Sequence, residues 1–196
     1  MEGLLKRIPE FIIFTGPMFG SKTTRLLAAV DRFRYQNRNV IAFKPKLDER
    51  YSESQICTHN GGSLDAYVVS TGKDISNIVN NNLCDVVAVD EAFMIEGSAD
   101  ALISIFRKGK TVVISSLQLS ATGNVFEEVR DIMPWATKIE ICPAVCTVTG
   151  LDAYYTHRKF NDMNEITVGG AELYEPRCWF HHNYMNQSTE SEDVSD

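Results

Sequence analysis

The sequence predicts an α/β domain built on a parallel sheet that is flanked by helices. Two observations predict it: short, continuously apolar segments rich in β-branched residues recur along the chain, and segments with helical spacing lie between them. Continuous apolarity is typical of strands that are covered on both faces. We expect this domain to span residues 1–138, a smaller loop-rich lobe to span 139–186 and a disordered acidic tail to span 187–196.

The elements of the domain follow in order along the chain. EFIIFTG predicts a buried strand that ends at Gly16, and SKTTRLLAAVDRFRYQ predicts a helix whose leucines, Val30 and Phe33 share one face. Further strands are predicted at 39–45, 66–70, 84–91 and 110–117. SADALISIFRKG predicts a second helix that ends at Gly109. After Pro134 the apolar segments give way to polar and aromatic sequence, which marks the start of the smaller lobe.

Composition and charge limit the classes of function. Hydrophobic residues make up 44% of the 196 residues, as in a globular protein, and a net charge of -7 argues against nucleic acid as the main partner. No apolar segment approaches the roughly 20 residues needed to span a bilayer, and the N-terminal residues lack a signal peptide's apolar region. The five unevenly spaced cysteines favour a reducing compartment, so we expect a cytoplasmic protein without membrane or nucleic-acid partners.

The segment GPMFGSKT lies between the first predicted strand and the first predicted helix. It resembles the phosphate-binding pattern G-x-x-x-x-G-K-[ST], except that Ser21 precedes the lysine. In that pattern backbone N–H groups surround phosphate oxygens, the lysine reaches the β- and γ-phosphates and the hydroxyl binds Mg²⁺. A turn that uses glycine only for its geometry is the alternative. The candidate phosphate-binding residues are Gly16, Pro17, Met18, Phe19, Gly20, Ser21, Lys22 and Thr23.

A second candidate element is the pair Asp90 and Glu91, which ends the apolar segment CDVVAVDEA. Open α/β sheets bind ligands at the carboxyl ends of their strands, so these carboxylates are predicted to lie beside the phosphate-binding residues. Asp90 is then a candidate to hold a metal ion, and Glu91 is a candidate base for an attacking hydroxyl. The alternative is that both are solvated residues at the start of a loop.

Several segments together resemble those of the type II thymidine kinases, the family that includes cellular, poxviral and phage enzymes. Besides GPMFGSKTTRLL they are KPKLDERYS, CTHN, VDEA, GKTVVISSL, AVC, AYYTHR and VGGAELY, in family order, from about residue 10 to about residue 185. The resemblance implies transfer of the γ-phosphoryl group from ATP to the 5'-hydroxyl of thymidine, giving dTMP in deoxynucleoside salvage. It also implies Mg²⁺, a structural Zn²⁺ and a homotetramer.

The resemblance also implies roles for individual residues. Asp48 and Arg50 would reach the metal and the phosphates, and Glu91 would be the general base. A lasso-like loop from about Thr156 to Tyr174 would close over the nucleoside with main-chain hydrogen bonds. The implied nucleoside contacts are Met94, Phe126, Thr156, Val168, Gly169, Gly170 and Tyr174. Taken alone, LDERYS is typical of a charged surface loop and VGGAELY of a turn.

The family's zinc ligands come as two pairs of C-x-x-C or C-x-x-H type, and this chain departs from that pattern. Thr149 stands three residues after Cys146, so Cys142 is the candidate replacement. The predicted ligands are Cys142, Cys146, Cys178 and His181, with His182 as a rival to His181. The alternative is that Cys142 is a buried core residue and the metal has been lost.

Two further departures affect function. Ser21 before Lys22 is expected to weaken ATP binding if its backbone is left-handed, because that conformation costs about 1–2 kcal/mol. Phe93 and Met94 stand where the family has a glutamine and an aromatic residue, which makes selection of the base less certain than phosphate chemistry. Ser21, Phe93 and Thr149 favour a second hypothesis, a catalytically weak, nucleotide-binding homologue with a regulatory role. A third hypothesis, a P-loop ATPase that acts on another macromolecule, is disfavoured by the acidic net charge.

Overall fold

The structure is a computed structural model that describes residues 8–47, 54–58, 61–160 and 169–186. Its centre is a six-stranded parallel sheet. The strands of this sheet, in chain order, are β1 (Phe11–Thr15), β2 (Val40–Pro45), β5 (Tyr67–Val69), β6 (Val86–Val89), β7 (Thr111–Ser116) and β8 (Lys138–Ile141). Side by side in the sheet they follow the order β5-β2-β6-β7-β1-β8. The predicted α/β class with a central parallel sheet is confirmed, because each apolar segment forms one of these strands.

Burial explains why these segments form the sheet. Every residue of β1, β6 and β7 is buried, as their continuous apolarity predicts. In β8 the isoleucines Ile139 and Ile141 are exposed, because this strand lies at the edge of the sheet. The sequence did not predict β8, because polar and apolar residues alternate in it. With β8 included, the sheet extends past residue 138.

Helices cover both faces of the sheet. The helix α1 (Lys22–Tyr35) packs Leu26, Val30 and Phe33 on one face, as predicted. The opposite face is covered by helices that bury Ile75, Leu102 and other apolar side chains. These helices are α2 (Gly72–Asn80), α3 (Ser98–Arg107) and α4 (Glu127–Ile132). Only α3 among these was predicted, although Thr71 and Asp74 form a capping box at the start of α2.

Short strands make up the rest of the described chain. They form three two-stranded sheets: β3 (Gln55–Cys57) with β4 (Ser63–Asp65), β9 (Ala144–Val145) with β10 (Asp152–Ala153), and β11 (Tyr155–Arg158) with β12 (Tyr174–Arg177). The last two sheets lie in the C-terminal region, defined here as residues 142–160 and 169–186. Single turns of 3₁₀-helix occupy Ala92–Met94, Met133–Trp135 and Trp179–His181. None of the helices in the described ranges has the length and apolarity needed to cross a membrane.

Candidate active site

The glycine-rich loop, residues 16–21, connects β1 to α1 and packs against the backbone of Cys142. A Cβ atom added to either Gly16 or Gly20 would lie 2.3 Å from the carbonyl oxygen of Cys142, well inside the contact distance of real Cβ atoms. The Cys142 N–H in turn donates to the Thr15 carbonyl over 2.7 Å, which fixes this backbone beside the loop. Both glycines are therefore required by the close approach of two backbone segments.

Backbone strain is concentrated at this edge of the sheet. Phe19, Ser21 and Glu91 have positive φ angles of 66°, 58° and 48°. Such conformations cost non-glycine residues free energy and persist where the surrounding structure enforces them. Ser21 precedes α1 in the left-handed conformation, and its side chain makes no capping hydrogen bond. The sequence predicts weaker ATP binding if the backbone of Ser21 is left-handed, and the structure has this conformation.

Lys22 and Thr23 open α1, and the hydroxyl of Thr23 contacts the end of β6. Thr23 Oγ1 donates to the carboxylate of Asp90, at 3.1 Å from Oδ1 and 3.3 Å from Oδ2. The hydroxyl of Ser115, from the end of β7, also donates to Asp90 Oδ1. Lys22 Nζ donates to the Pro17 carbonyl over 2.6 Å, so its ammonium group lies above the glycine-rich loop. The structure thus brings Lys22, Thr23 and Asp90 together at the carboxyl edge of the sheet.

Glu91 lies directly after β6 at the same edge. Its N–H donates to Ser115 Oγ over 3.4 Å, and its left-handed backbone starts the 3₁₀ turn Ala92–Met94. This turn is also held by Ser98, whose Oγ donates to the Ala92 carbonyl over 2.9 Å. Glu91 as a whole is half-buried, and its Oε2 atom is buried. A carboxylate on a fixed backbone, next to a hydroxyl and carboxylate pair, is chemically able to accept a proton.

An apolar cluster lies beside these polar groups. Its buried members are Phe93, Leu117, Phe126 and Val129, with Met18, Met94 and Met133 packed against them. The rings of Phe93 and Phe126 are 4.5 Å apart between centroids. Met94 also lines a surface cavity of about 450 Å³ together with Lys46, Leu47, Val69 and Ser70. The predicted contacts Met94 and Phe126 therefore belong to one cluster, which also contains Met18 of the glycine-rich loop.

The C-terminal region reaches this site through β11. Thr156 is buried, and its Oγ1 accepts a hydrogen bond from the Met18 N–H over 3.0 Å. Tyr174 is buried at the start of β12, and its N–H donates to the Gly170 carbonyl over 3.0 Å. The predicted residues Asp48, Arg50 and Val168, and the tail 187–196, lie outside the described residues.

The predicted zinc ligands are not gathered at one point. Cys142 packs among β1 and α1 residues, whereas Cys146 and Cys178 belong to a separate buried cluster. Cys178 Sγ lies 3.5 Å from Nδ1 of His181. Among the residues that the structure describes, no three His, Cys, Asp or Glu side chains are grouped so as to hold a metal ion. The position of Cys142 is that of a core residue.

The thiols of the two clusters have different electrostatic surroundings. Burial raises the pKa of the Cys142 thiol. Burial also acts to raise the pKa of Cys146, but hydrogen bonds from the Thr149 side chain and from backbone N–H groups outweigh it and lower the pKa to about 6. Burial lowers the pKa of His182 and of His157. Cys146 therefore has more thiolate character than Cys142.

Two contributors to the site were not predicted. Ser115 has a weak signal in the sequence, because the apolar segment TVVIS ends in polar residues at the same edge as Asp90. The Cys142 carbonyl has none, since a backbone oxygen is present at every position of a chain. The contact between Met18 and Thr156 joins residues that are 138 positions apart, so no local pattern could predict it.

The chain is similar to known proteins over most of its length. A family model described as thymidine kinase matches residues 10–182. The chain is 37% identical over 180 residues to a thymidine kinase of Pyrobaculum aerophilum, covering 87% of this chain and 97% of that protein. It is 35% identical over 181 residues to a thymidine kinase of Thermococcus kodakarensis, covering 87% of this chain and 92% of that protein. The matched range includes the glycine-rich loop, Asp90 and Glu91, and most of the C-terminal region.

Proposed function

This chain belongs to the thymidine kinase family, and we propose that it transfers the γ-phosphoryl group of ATP to the 5'-hydroxyl of thymidine, giving dTMP for deoxynucleoside salvage. The observation that carries this proposal is the meeting of Lys22, Thr23, Asp90 and Glu91 at one edge of the sheet. A cation, a hydroxyl and two carboxylates at one place are the groups that phosphoryl transfer needs.

The ATP phosphates would lie over the glycine-rich loop, where the N-terminus of α1 and the Lys22 ammonium group favour negative charge. Thr23 and Asp90 present hydroxyl and carboxylate oxygens, which are the donors that Mg²⁺ prefers, so these residues fit that ion. When bound, Mg²⁺ would neutralise charge on the phosphate oxygens. Asp48 and Arg50 stay proposed contacts to the metal and phosphates.

Glu91 would accept the proton of the 5'-hydroxyl as that oxygen attacks the γ-phosphorus. Its backbone position is fixed on two sides, by Ser115 and by the turn that Ser98 holds. A base held in one place contributes through orientation as well as through its basicity.

The nucleoside would lie between the apolar cluster and the C-terminal region. Met94 and Phe126 would contact the base, and Phe93 supports Phe126 from behind. Thr156 and Tyr174 would mark the two ends of the closing loop, with Gly169 and Gly170 within it and Val168 next to them. Phe93 offers no side-chain hydrogen bond to the base, so main-chain groups of the closing loop would supply the selectivity.

Zinc takes no part in this mechanism. The described residues do not fit the predicted four-ligand site, because Cys142 packs with the sheet rather than with Cys146 and Cys178. The homotetramer and the cytoplasmic location stay predictions from the sequence.

The decisive experiment is a radiolabelled-ATP assay with a panel of nucleosides. The wild-type protein is expected to phosphorylate thymidine, and Glu91→Gln should lower kcat by about 10²–10⁴-fold, the usual contribution of a general base. Glu96→Gln is the matched control, because Glu96 is an exposed glutamate five residues further on. Isothermal titration calorimetry should show unchanged ATP binding by Glu91→Gln.

Two outcomes would contradict the proposal. One is ATP binding by the wild-type protein without any phosphorylated nucleoside at high enzyme concentration, which is what a regulatory, nucleotide-binding homologue would show. The other is equal activity of Glu91→Gln and Glu96→Gln, which would remove Glu91 from the reaction.

A further inference from the structure

His182 is the polar side chain of the C-terminal region with the least solvent exposure, at 1% among the described residues. Both of its ring nitrogens make hydrogen bonds. Tyr184 N–H lies 3.3 Å from Nδ1, and the Thr156 carbonyl oxygen lies 3.0 Å from Nε2. Because a backbone N–H only donates and a carbonyl only accepts, Nδ1 is the acceptor and Nε2 carries the proton. The neighbouring backbone thus selects one neutral tautomer of His182.

Thr156 connects His182 to the glycine-rich loop. Its carbonyl accepts from His182, while its hydroxyl accepts from the Met18 N–H over 3.0 Å. Thr156 itself is 5% exposed and lies opposite Pro176 in the pairing of β11 with β12. This pair exchanges no backbone hydrogen bonds, because the Lys159 N–H donates to the Leu173 carbonyl and hydrogen-bonded pairs alternate with non-hydrogen-bonded pairs along an antiparallel ladder. The Thr156 carbonyl therefore points away from β12, and it accepts a hydrogen bond from His182.

The segment after His182 touches a second part of the site. The N–H groups of Met185 and Asn186 both donate to the His182 carbonyl over 3.1 Å, which forms a compact turn. This turn packs on Gly123, where an added Cβ would lie 3.2 Å from Met185 Cε. Gly123 lies three residues before Phe126 of the apolar cluster. His182 thus joins a strand that holds the glycine-rich loop to a turn that packs beside the base side of the site.

We propose that His182 is a positioning residue that couples the ATP side of the site to the nucleoside side, acting through the Thr156 backbone on the N–H of Met18. This inference rests on the proposed function, because it assigns the two sides to ATP and thymidine. Without a donor at Nε2, the buried Thr156 carbonyl loses its partner and the strand is expected to shift. The Met18 N–H would then lose its acceptor, and the glycine-rich loop would lose a contact that holds its shape.

The test separates the two ring nitrogens. Glutamine places an amide N–H near the position of Nε2, whereas asparagine places its polar atoms near the position of Nδ1. His182→Asn is expected to lower kcat/KM for both ATP and thymidine by about 10–100-fold, mainly through higher KM values. His182→Gln should recover most of this loss. His157→Asn is the matched control, since His157 is a partly exposed histidine on the same strand as Thr156.

A double-mutant cycle tests the path through Thr156. Thr156→Val removes the hydroxyl that accepts from Met18 and keeps the shape of the side chain. If His182 acts through Thr156, the double variant His182→Asn with Thr156→Val should be little worse than the poorer single variant. Thermal unfolding midpoints are measured for every variant, and Thr156→Val with His182→Gln keeps the test available if His182→Asn fails to fold.

Three results would overturn the inference. They are wild-type KM values for His182→Asn, equal losses for His182→Asn and His182→Gln, and additive losses in the double variant. Calorimetric titration with ATP repeats the comparison without turnover. A wild-type protein that binds ATP but does not phosphorylate thymidine would contradict the proposed function and leave the ATP-binding comparison as the test of His182. A wild-type protein without either property would overturn both.

Discussion

The carboxyl edge of the sheet and the C-terminal region are built in different ways. Phe19, Ser21 and Glu91, three of the four described non-glycine residues with positive φ, lie at the sheet edge. No non-glycine residue in the described part of the C-terminal region has a positive φ. Strained backbone persists only where its surroundings enforce it. The strands β1 and β6, which lead into the strained segments, are buried at every residue and supply that enforcement.

The C-terminal region buries much less apolar surface than the strands at the carboxyl edge of the sheet do. Its own buried cluster consists of two alanines and two cysteines: Ala144, Cys146, Ala153 and Cys178. Polar contacts supplement this cluster. Glu175 pairs with Arg177 and accepts from Thr147 Oγ1 over 3.1 Å. The comparison teaches that the carboxyl edge of the sheet is held by burial, whereas the described C-terminal region is held largely by hydrogen bonds and the ion pair of Glu175 with Arg177.

The largest expected effect comes from adding one methyl group where the two regions meet. In Gly16→Ala the new Cβ would lie 2.3 Å from the Cys142 carbonyl oxygen, at a φ of +146° that disfavours any side chain. Since backbone must move, we expect a loss of about 2–3 kcal/mol in the free energy of unfolding. A shift of the glycine-rich loop by about 1 Å should lower kcat/KM for ATP by about 100-fold.

Gly150→Ala is the matched control for this prediction. Gly150 has a φ of +72°, but an added Cβ would meet nothing within 4 Å. The control therefore contains the strain of a positive φ without the clash. Urea unfolding and steady-state kinetics on both variants give the comparison. If Gly16→Ala loses no more than Gly150→Ala in either measurement, the close approach of the Cys142 carbonyl does not constrain the loop.

How much the sequence could predict also differs between the two regions. Lys22, Thr23, Asp90 and Glu91 were predicted because each follows or precedes a segment with a clear local pattern, and the parallel sheet brings such ends together. The edge strand β8 was not predicted, because half-exposed strands lack continuous apolarity. In the C-terminal region strands of two to four residues carry no periodicity, so its pairing could not be predicted.

The polar contacts of the C-terminal region are expected to stabilise it through the ionised form of Glu175. Burial acts to raise the pKa of Glu175, but hydrogen bonds from Arg177 and Thr147 and the charges of Arg177 and Lys159 outweigh it and lower the pKa. A lowered pKa means that the ionised form stabilises the fold above the unfolded pKa of about 4.3, and that this stability is lost as the pH falls through the folded pKa. Glu175→Gln should therefore cost about 1 kcal/mol at pH 7.

The pH dependence distinguishes this cause from a change of packing. The difference between wild type and Glu175→Gln in the free energy of unfolding should shrink as the pH falls below about 4. Asp152→Asn is the control, because Asp152 is an exposed carboxylate of the same region. A difference that stays constant from pH 7 to pH 3 would show that the charge of Glu175 contributes nothing.

The smallest expected effect is a gain, and it comes from relieving strain at the sheet edge. Ser21 has φ 58° and ψ 26°, is exposed, and makes no capping hydrogen bond, so glycine at this position removes strain without removing a contact. The left-handed conformation costs about 1–2 kcal/mol, while glycine costs about 0.5–1 kcal/mol in chain entropy. Ser21→Gly should therefore raise the free energy of unfolding by up to about 1 kcal/mol, and the KM for ATP should fall a few-fold.

Asn37→Gly sharpens the interpretation of Ser21→Gly. Asn37 has a φ of 55° but lies in the exposed turn after α1, at the end of that helix opposite the glycine-rich loop. Asparagine tolerates this conformation better than serine does, so its replacement should stabilise the protein less and leave the KM for ATP unchanged. An equal change of KM in both variants would mean that general stability sets ATP affinity. A fall in KM confined to Ser21→Gly would mean that the serine itself holds the glycine-rich loop in a conformation that binds phosphate less well.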